Sequence, residues 1–282
     1  MQNVKIVADS SSDLLALDGI AFQSAPLKII TNEKEYVDNK DLDIKEMVDD
    51  LRHYKGRSST SCPNPQDWLE CFGDAENIFC VTITASLSGS YNAAVIAKKQ
   101  YEEMHPGRRV HVFNSLSTGP EMCLIIEKMK ELIEKGLTFD EVVSGIEAYM
   151  KKTGLLFILQ SMKNLANNGR VSHAAASLAG LLGIRAIGRA SDKGDLEMLE
   201  KSRGEKKTLE SVLDQLKKLG YSGGKLRIAH CFNELFGENI KARILDKYSF
   251  ADIKIYACRA LCSFYAELGG LLIGFEKAEA NG

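Results

Sequence analysis

The 282-residue sequence predicts an α/β protein of two domains. Three observations carry this. Short β-branched apolar runs alternate with amphipathic segments, the pattern of a mostly parallel sheet flanked by helices. At least three of those runs end in Ser/Thr-rich loops that feed a helix. Past residue 152 the character changes, with small residues, glycines and further strand and helix segments. Domains are therefore expected at 1–152, an N-terminal α/β unit carrying hydroxyl-rich loops, and 153–282, a C-terminal α/β unit. The length suits two such units.

Val4-Lys5-Ile6-Val7-Ala8 reads as the first strand and runs into Asp9-Ser10-Ser11-Ser12-Asp13-Leu14, an acid and hydroxyl loop capping a short helix. Residues 22–30 read as a second strand, and 35–38 as extended chain. In 43–54, Ile44, Met47, Val48 and Leu51 share one face of a helix. Ser58-Ser59-Thr60-Ser61-Cys62-Pro63-Asn64-Pro65 is barred from helix by its prolines until the second opens the helix 66–72.

Ile78-Phe79-Cys80-Val81-Thr82-Ile83 is a buried strand. Thr84-Ala85-Ser86-Leu87-Ser88-Gly89-Ser90-Tyr91 follows, and then a helix from Asn92. Hydroxyls collected beside the free N–H groups of a helix start favour an anion. Gly89 lets a ligand approach the backbone. A plain capped helix explains the same stretch, since Ser is a favoured N-cap residue. What argues for a site is recurrence. The strand 109–113 leads to Asn114-Ser115-Leu116-Ser117-Thr118-Gly119-Pro120 and a helix 121–135. In open α/β sheets ligands sit outside the carboxyl ends of strands. Residues 9–12, 60–65, 86–90 and 114–118 would all line that rim.

Beyond it come a helix 138–152, a strand 155–159 and a segment 162–172 closed by Asn168-Gly169. A run of small residues follows, Ala174, Ala175, Ala176, Ser177, Ala179, Gly180 and Gly183. Then come a strand 196–199, a charged turn 201–207, a helix 208–219, a strand 225–231, a helix 233–247 and a strand 252–257. The last apolar run, 261–275, holds Gly269, Gly270 and Gly274, which signal close backbone approach. Residues 279–282 read as a tail.

Composition excludes several classes. A net charge of -2 gives nucleic acid no electrostatic footing. No apolar run reaches the ~18 residues of a membrane span. The start of the chain enters a strand without a signal-peptide core. The seven cysteines are an odd number without a CxxC pair and read as reduced core residues of a cytoplasmic protein. Neither they nor the five histidines have metal-ligand spacing. There is no G-x-G-x-x-G and no P-loop.

Taken together, Asp9 to Leu14, Thr60-Ser61-Cys62-Pro63-Asn64-Pro65, Leu87-Ser88-Gly89-Ser90-Tyr91-Asn92, Asn114-Ser115 with Gly119, and Leu165 to Val171 resemble the DegV family of bacterial fatty-acid-binding proteins. Their order and spacing span nearly the whole chain. The resemblance implies two α/β domains with an acyl-chain tunnel associated with the domain junction. It implies a carboxylate site of Thr60 and Ser88, with Ser61 and the N–H of Gly89, and a role for Arg170. It implies no catalysis and no cofactor. The ligand is a long-chain fatty acid, which some members present to a separate fatty acid kinase. Arg203 is implied as a contact for that protein partner.

The chain departs from the family in three places. The family's C-terminal His before a Gly-Pro-Gly-like turn reads Tyr265-Ala266-Glu267-Leu268-Gly269 here, which puts Tyr265 in the head-group set. A Lys-Pro pair is replaced by Arg185-Ala186, and a double Gly by Asn168-Gly169.

The residues support the same chemistry. A carboxylate needs several donors. Each buried methylene contributes about 0.8 kcal/mol, so a chain of roughly 15 approaches ~12 kcal/mol before the costs of binding are subtracted. The alternative is a serine-based hydrolase or transferase acting on a small acyl substrate, with Ser88 or Ser11 as nucleophile. It needs an adjacent base. His111, His173 and His230 have no evident role as one, and a G-x-S-x-G elbow is absent. A lipid sensor without a delivery role is a third class.

Overall fold

The computed structural model describes residues 3–172, 174 and 183–278. His173, the small-residue run 175–182 and the tail 279–282 lie outside the described residues.

The first half is built on a four-stranded parallel sheet of order β2-β1-β6-β7, formed by β1 (Val4–Asp9), β2 (Ala21–Ala25), β6 (Asn77–Thr82) and β7 (Arg109–Asn114). Alternate residues of these strands serve its two faces. On one face Ile6, Ala8, Phe79, Val81 and Phe113 pack on α4 (Gly119–Glu134) and α5 (Phe139–Met150). On the other, Val7, Ile78, Cys80 and Val112 pack on α2 (Pro65–Phe72) and α3 (Ser90–Met104). The predicted strand 22–30 is two strands in different sheets. Pro26 has no N–H to donate; the chain leaves β2 there and enters β3 (Lys28–Ile30). β3 is the centre of a small antiparallel sheet between β4 (Glu35–Val37) and β5 (Ser59–Ser61). The helix α1 (Ile44–His53) packs beside it, capped by Asp43.

The second half holds a mixed six-stranded sheet of order β10-β9-β8-β13-β11-β12. It comprises β8 (Thr153–Leu159), β9 (Ile184–Ala190), β10 (Leu196–Arg203), β11 (Tyr221–His230), β12 (Ile253–Ala257) and β13 (Leu271–Lys277). Only β11 and β12 run parallel. Leu156, Ile158, Ile187, Ile228 and Ile273 face α7 (Glu205–Lys218) and α8 (Glu234–Leu245). Leu155, Phe157, Leu159 and Leu272 face the other way, toward α6 (Lys163–Asn167) and α9 (Ala260–Ala266).

Three expectations are corrected here. The predicted charged turn 201–207 does not exist: Lys201, Ser202 and Arg203 continue the edge strand β10, and Glu205 opens α7. Lysine and arginine suit an edge strand because they discourage further pairing. Strand β9 had no counterpart in the sequence reading; its Arg185, Gly188 and Arg189 dilute the apolar signal. The single apolar run 261–275 is a helix followed by a strand, divided at Gly269 and Gly270.

The two halves meet at α4. A Cβ on Gly274 of β13 would stand 2.4 Å from the Pro120 carbonyl carbon, so only glycine lets the start of α4 lie on this strand. Further along α4, Glu127 pairs with Arg227 of β11, whose side chain is 1% exposed.

Candidate functional site

Asp9 organises the sheet edge. Buried at the end of β1, it accepts the Ile83 amide at 2.9 Å, the Ser90 hydroxyl at 2.6 Å and the Ser11 amide at 3.3 Å. Burial pushes its pKa up, while the bonds from Ser11, Ser90 and Ile83 work against that rise. Ser10, Ser11 and Ser12 are themselves buried, and Ser10 Oγ accepts the Leu27 amide at 3.0 Å. This loop is internal scaffolding that fixes its neighbours. Of the four predicted rim segments, it alone contributes no wall to the cavity beside it.

That cavity, of about 280 Å³, lies between the two halves. Its polar end gathers Thr60, Ser61 and Cys62 from β5 and the chain after it, Ser88 and Gly89 before α3, Arg170 after α6, and Tyr265 on α9. All six predicted head-group residues thus line one wall system, although Thr60 and Tyr265 are 205 positions apart. The Thr60 and Tyr265 hydroxyls share a hydrogen bond at 2.7 Å. Ser88 Oγ accepts the Ser90 amide at 3.3 Å, which leaves its proton to donate. Arg170 is held across the loops: its Nε donates to the Leu87 carbonyl at 3.1 Å and its Nη1 to the Asn168 carbonyl. It is the one charged side chain lining the cavity among the described residues.

At Gly89 the atom that would crowd a Cβ is Cys62 Sγ, at 3.3 Å. Burial raises the Cys62 thiol above its ordinary pKa, so it is a neutral neighbour of the glycine. Burial likewise raises the Tyr265 phenol, against the pull of Thr60 and Arg170.

The rest of the wall is largely apolar, with the Thr118 hydroxyl and the Cys262 thiol set into it. Leu155, Phe157, Leu159 and Leu272 come from the second sheet, and Leu27, Ile83, Leu196 and Leu261 close around them. Chemically the site offers hydroxyl donors and one guanidinium at one end and mostly hydrocarbon elsewhere. That is a receptacle for an amphiphile with a small anionic head.

A family model described as an uncharacterised protein of the DegV family matches residues 3–277. A DegV domain-containing protein of Streptococcus pneumoniae serotype 4 is 46% identical over 276 residues, 96% of this chain and 98% of that protein.

The chain belongs to the DegV family.

Two solved structures share its backbone closely. A DegV family protein from Eubacterium eligens loaded with heptadecanoic acid superposes with TM-score 0.96 at 46% identity, covering 98% of this chain and 100% of that one. The Streptococcus pneumoniae Fatty Acid Kinase (Fak) B3 protein loaded with linoleic acid has TM-score 0.96 at 44% identity, with the same coverage.

Within this DegV chain, Arg203 stands apart from the cavity. It is exposed on β10 in register with Ile184 of β9. Three lining residues that carry a hydroxyl or thiol were not singled out from the sequence: Cys62, Thr118 and Cys262. Cys62 and Thr118 lay inside quoted rim segments but were overshadowed by neighbouring hydroxyls. Cys262 is visible only once α9 is seen to turn one face to the cavity. The apolar wall had a usable signal: Leu155, Phe157 and Leu159 alternate with period two, the mark of one strand face.

Proposed function

We propose that the protein binds a long-chain fatty acid without catalysis. Thr60, Ser61, Ser88, the Gly89 amide, Arg170 and Tyr265 hold the carboxylate, and the leucine-rich wall takes the acyl chain. The observation that carries this reading is one cavity, polar with a single guanidinium at one end and largely apolar over the rest. The likeness to proteins loaded with heptadecanoic and linoleic acid supports it. The apolar tail supplies most of the affinity and the hydroxyls set orientation.

A carrier role follows from the likeness to the Fak B3 protein: the bound acid is presented to a fatty acid kinase, with Arg203 at the exposed edge as a contact for that partner. The division of the chain at 152/153 belongs to this proposal, with the cavity at the junction. A serine-based enzyme has less support. Among the described residues no histidine lines the cavity, and the recorded partner of Ser88 is a backbone amide. No helix among the described residues is long and apolar enough to cross a membrane.

Native mass spectrometry of the purified protein tests the reading. A mass increment that organic extraction releases as a fatty acid is the expected result. A ligand-free protein that also hydrolyses acyl esters would replace it with the enzyme.

A further inference from the structure

Thr118 occupies the N-cap position of α4 with extended backbone, φ −154° and ψ 171°, yet its side chain makes no capping hydrogen bond. Threonine at such a position ordinarily accepts an amide of the first turn. Here the side chain lines the cavity instead. The neighbour of its Oγ1 is Cys262 Sγ, 3.9 Å away. That thiol directs its proton to the Ser11 carbonyl at 3.4 Å. What remains to Thr118 is a sulfur, which is a weak acceptor. A hydroxyl without a strong partner among the described residues therefore lines a cavity whose wall is largely leucine, with Leu272 and Cys262 beside the neighbouring Gly119. A plain hydrocarbon chain beside it would leave its hydrogen bonds unmade, which is costly in an apolar setting.

Two residues of α9 mark off this hydroxyl from Thr60. Cys262 and Tyr265 are one helical turn apart, about 4.5 Å of rise. Tyr265 meets Thr60 at the carboxylate end, and Cys262 meets Thr118 one turn along.

We propose that Thr118 is a second polar station in the acyl cavity, and that it selects a fatty acid bearing a hydroxyl or oxo oxygen on its chain. This rests on the acyl-binding reading above. Such a ligand places its carboxylate at Thr60 and Tyr265 and its chain oxygen against Thr118. The oxygen gives up water on binding, and Thr118 replaces the lost hydrogen bond.

The test uses the full chain stripped of endogenous lipid. Dissociation constants are measured for stearate and for a panel of hydroxystearates substituted at successive carbons from the carboxyl end. The readout is the ratio of the stearate constant to that of each hydroxystearate within one protein, which cancels any general change in the cavity. In the parent, at least one isomer is expected to bind about two- to tenfold more tightly than stearate, the gain of one net hydrogen bond. Thr118→Val is expected to abolish that preference, and Thr118→Ser to restore it. Absence of a preferred isomer in the parent overturns the station, as does a preference that survives in Thr118→Val or is not recovered in Thr118→Ser. Failure of stearate itself to bind the parent overturns the acyl reading instead, and the two failures are thereby distinct.

Discussion

Tyr265 and Thr60 join their hydroxyls across 2.7 Å, tying the C-terminal helix α9 to strand β5 of the first half. The tyrosine ring packs beside Phe264 while its hydroxyl meets Thr60, so one side chain both packs and reaches the polar end of the cavity. Its pKa is raised by burial, which keeps the phenol neutral between pH 5 and 8. A histidine in the same place would change charge over that interval. Fatty-acid affinity is therefore expected to be flat from pH 6 to 8, where the ligand stays ionised. Tyr265→Phe keeps the ring and removes the hydroxyl, and should weaken binding by roughly 1 kcal/mol. Titration of a fluorescent fatty acid reads both. Unchanged affinity in Tyr265→Phe would leave packing as its whole contribution.

Ser88 and Thr60 reach the same end of the cavity from different loops. Each is half-buried in a loop or edge position and contributes little core packing. Replacing either with alanine removes one hydrogen bond to a charged group, at a cost of about 1.5–3 kcal/mol in affinity. The melting temperature of Ser88→Ala should barely move, whereas Thr60→Ala also loses its bond to Tyr265. Full lipid retention in both Ser88→Ala and Thr60→Ala would remove these residues from the head-group site.

The strands ending in hydroxyl loops were legible because each was a compact apolar run beside a turn signal, as at 78–90. The same logic misplaced residues 9–12. Their hydroxyls look like ligands, but Asp9 and the Leu27 amide engage this loop from within the chain. Sequence order also hides what α9 contributes. Cys262 and Tyr265 become wall residues only because Asp13 and Asp38 accept the Arg259 and Leu261 amides, at 2.8 and 3.0 Å, and so seat the helix start against the first half. Residues 201–203, the far end of edge strand β10, carry a turn signal because charged residues populate edges and turns alike.

Arg203 tests that edge. It touches no part of the cavity, so Arg203→Ala should retain its fatty acid. If the edge is the partner contact, the same variant loses capture of the fatty acid kinase, since an arginine fork bonds carboxylates bidentately. Equal recovery of kinase by parent and variant would assign Arg203 to solvent.

Glu127 receives Arg227 Nη2 at 2.6 Å and Nε at 3.1 Å, while Asp252 takes the same Nη2 at 2.9 Å. The pair joins α4 to β11 across the junction. Burial pushes Glu127 up, but the bonds from Arg227 and Lys254 outweigh it and its pKa is lowered. A lowered carboxyl contributes stability that is present above its unfolded value of about 4.3 and is lost as pH falls through the folded value. Glu127→Gln leaves the buried guanidinium with Asp252 as its remaining counter-charge and should cost about 1.5–3 kcal/mol in urea unfolding, the loss of hydrogen bonding between charged groups. Glu127→Leu with Arg227→Met should cost much less, because both charges leave together. Equal destabilisation of the single and double variants would show packing, and not the charge pair, to be the source.

Asp13 carries the opposite sign. It sits at φ +59°, accepts the Arg259 amide at 2.8 Å through Oδ1, and leaves Oδ2 buried without a hydrogen-bond partner among the described residues. Desolvation, with some help from Asp38 nearby, raises its pKa to about 7. In the unfolded chain the same group titrates near about 3.9. Between those values the folded protein holds more protons than the unfolded one, so stability falls as pH rises from about 4 toward 7, by at most about 1.4 kcal/mol per pH unit from this group. Asp9, Asp38 and Glu121 are also raised by burial and add the same sign. Asp13→Asn keeps the acceptor for Arg259 and removes the titration. Melting temperatures measured at pH 5.5 and 7.5 should therefore differ less in Asp13→Asn than in the parent, with the variant's advantage greatest at the higher pH. Parallel profiles for the two proteins would mean that Asp13 is protonated alike in the folded and unfolded chains.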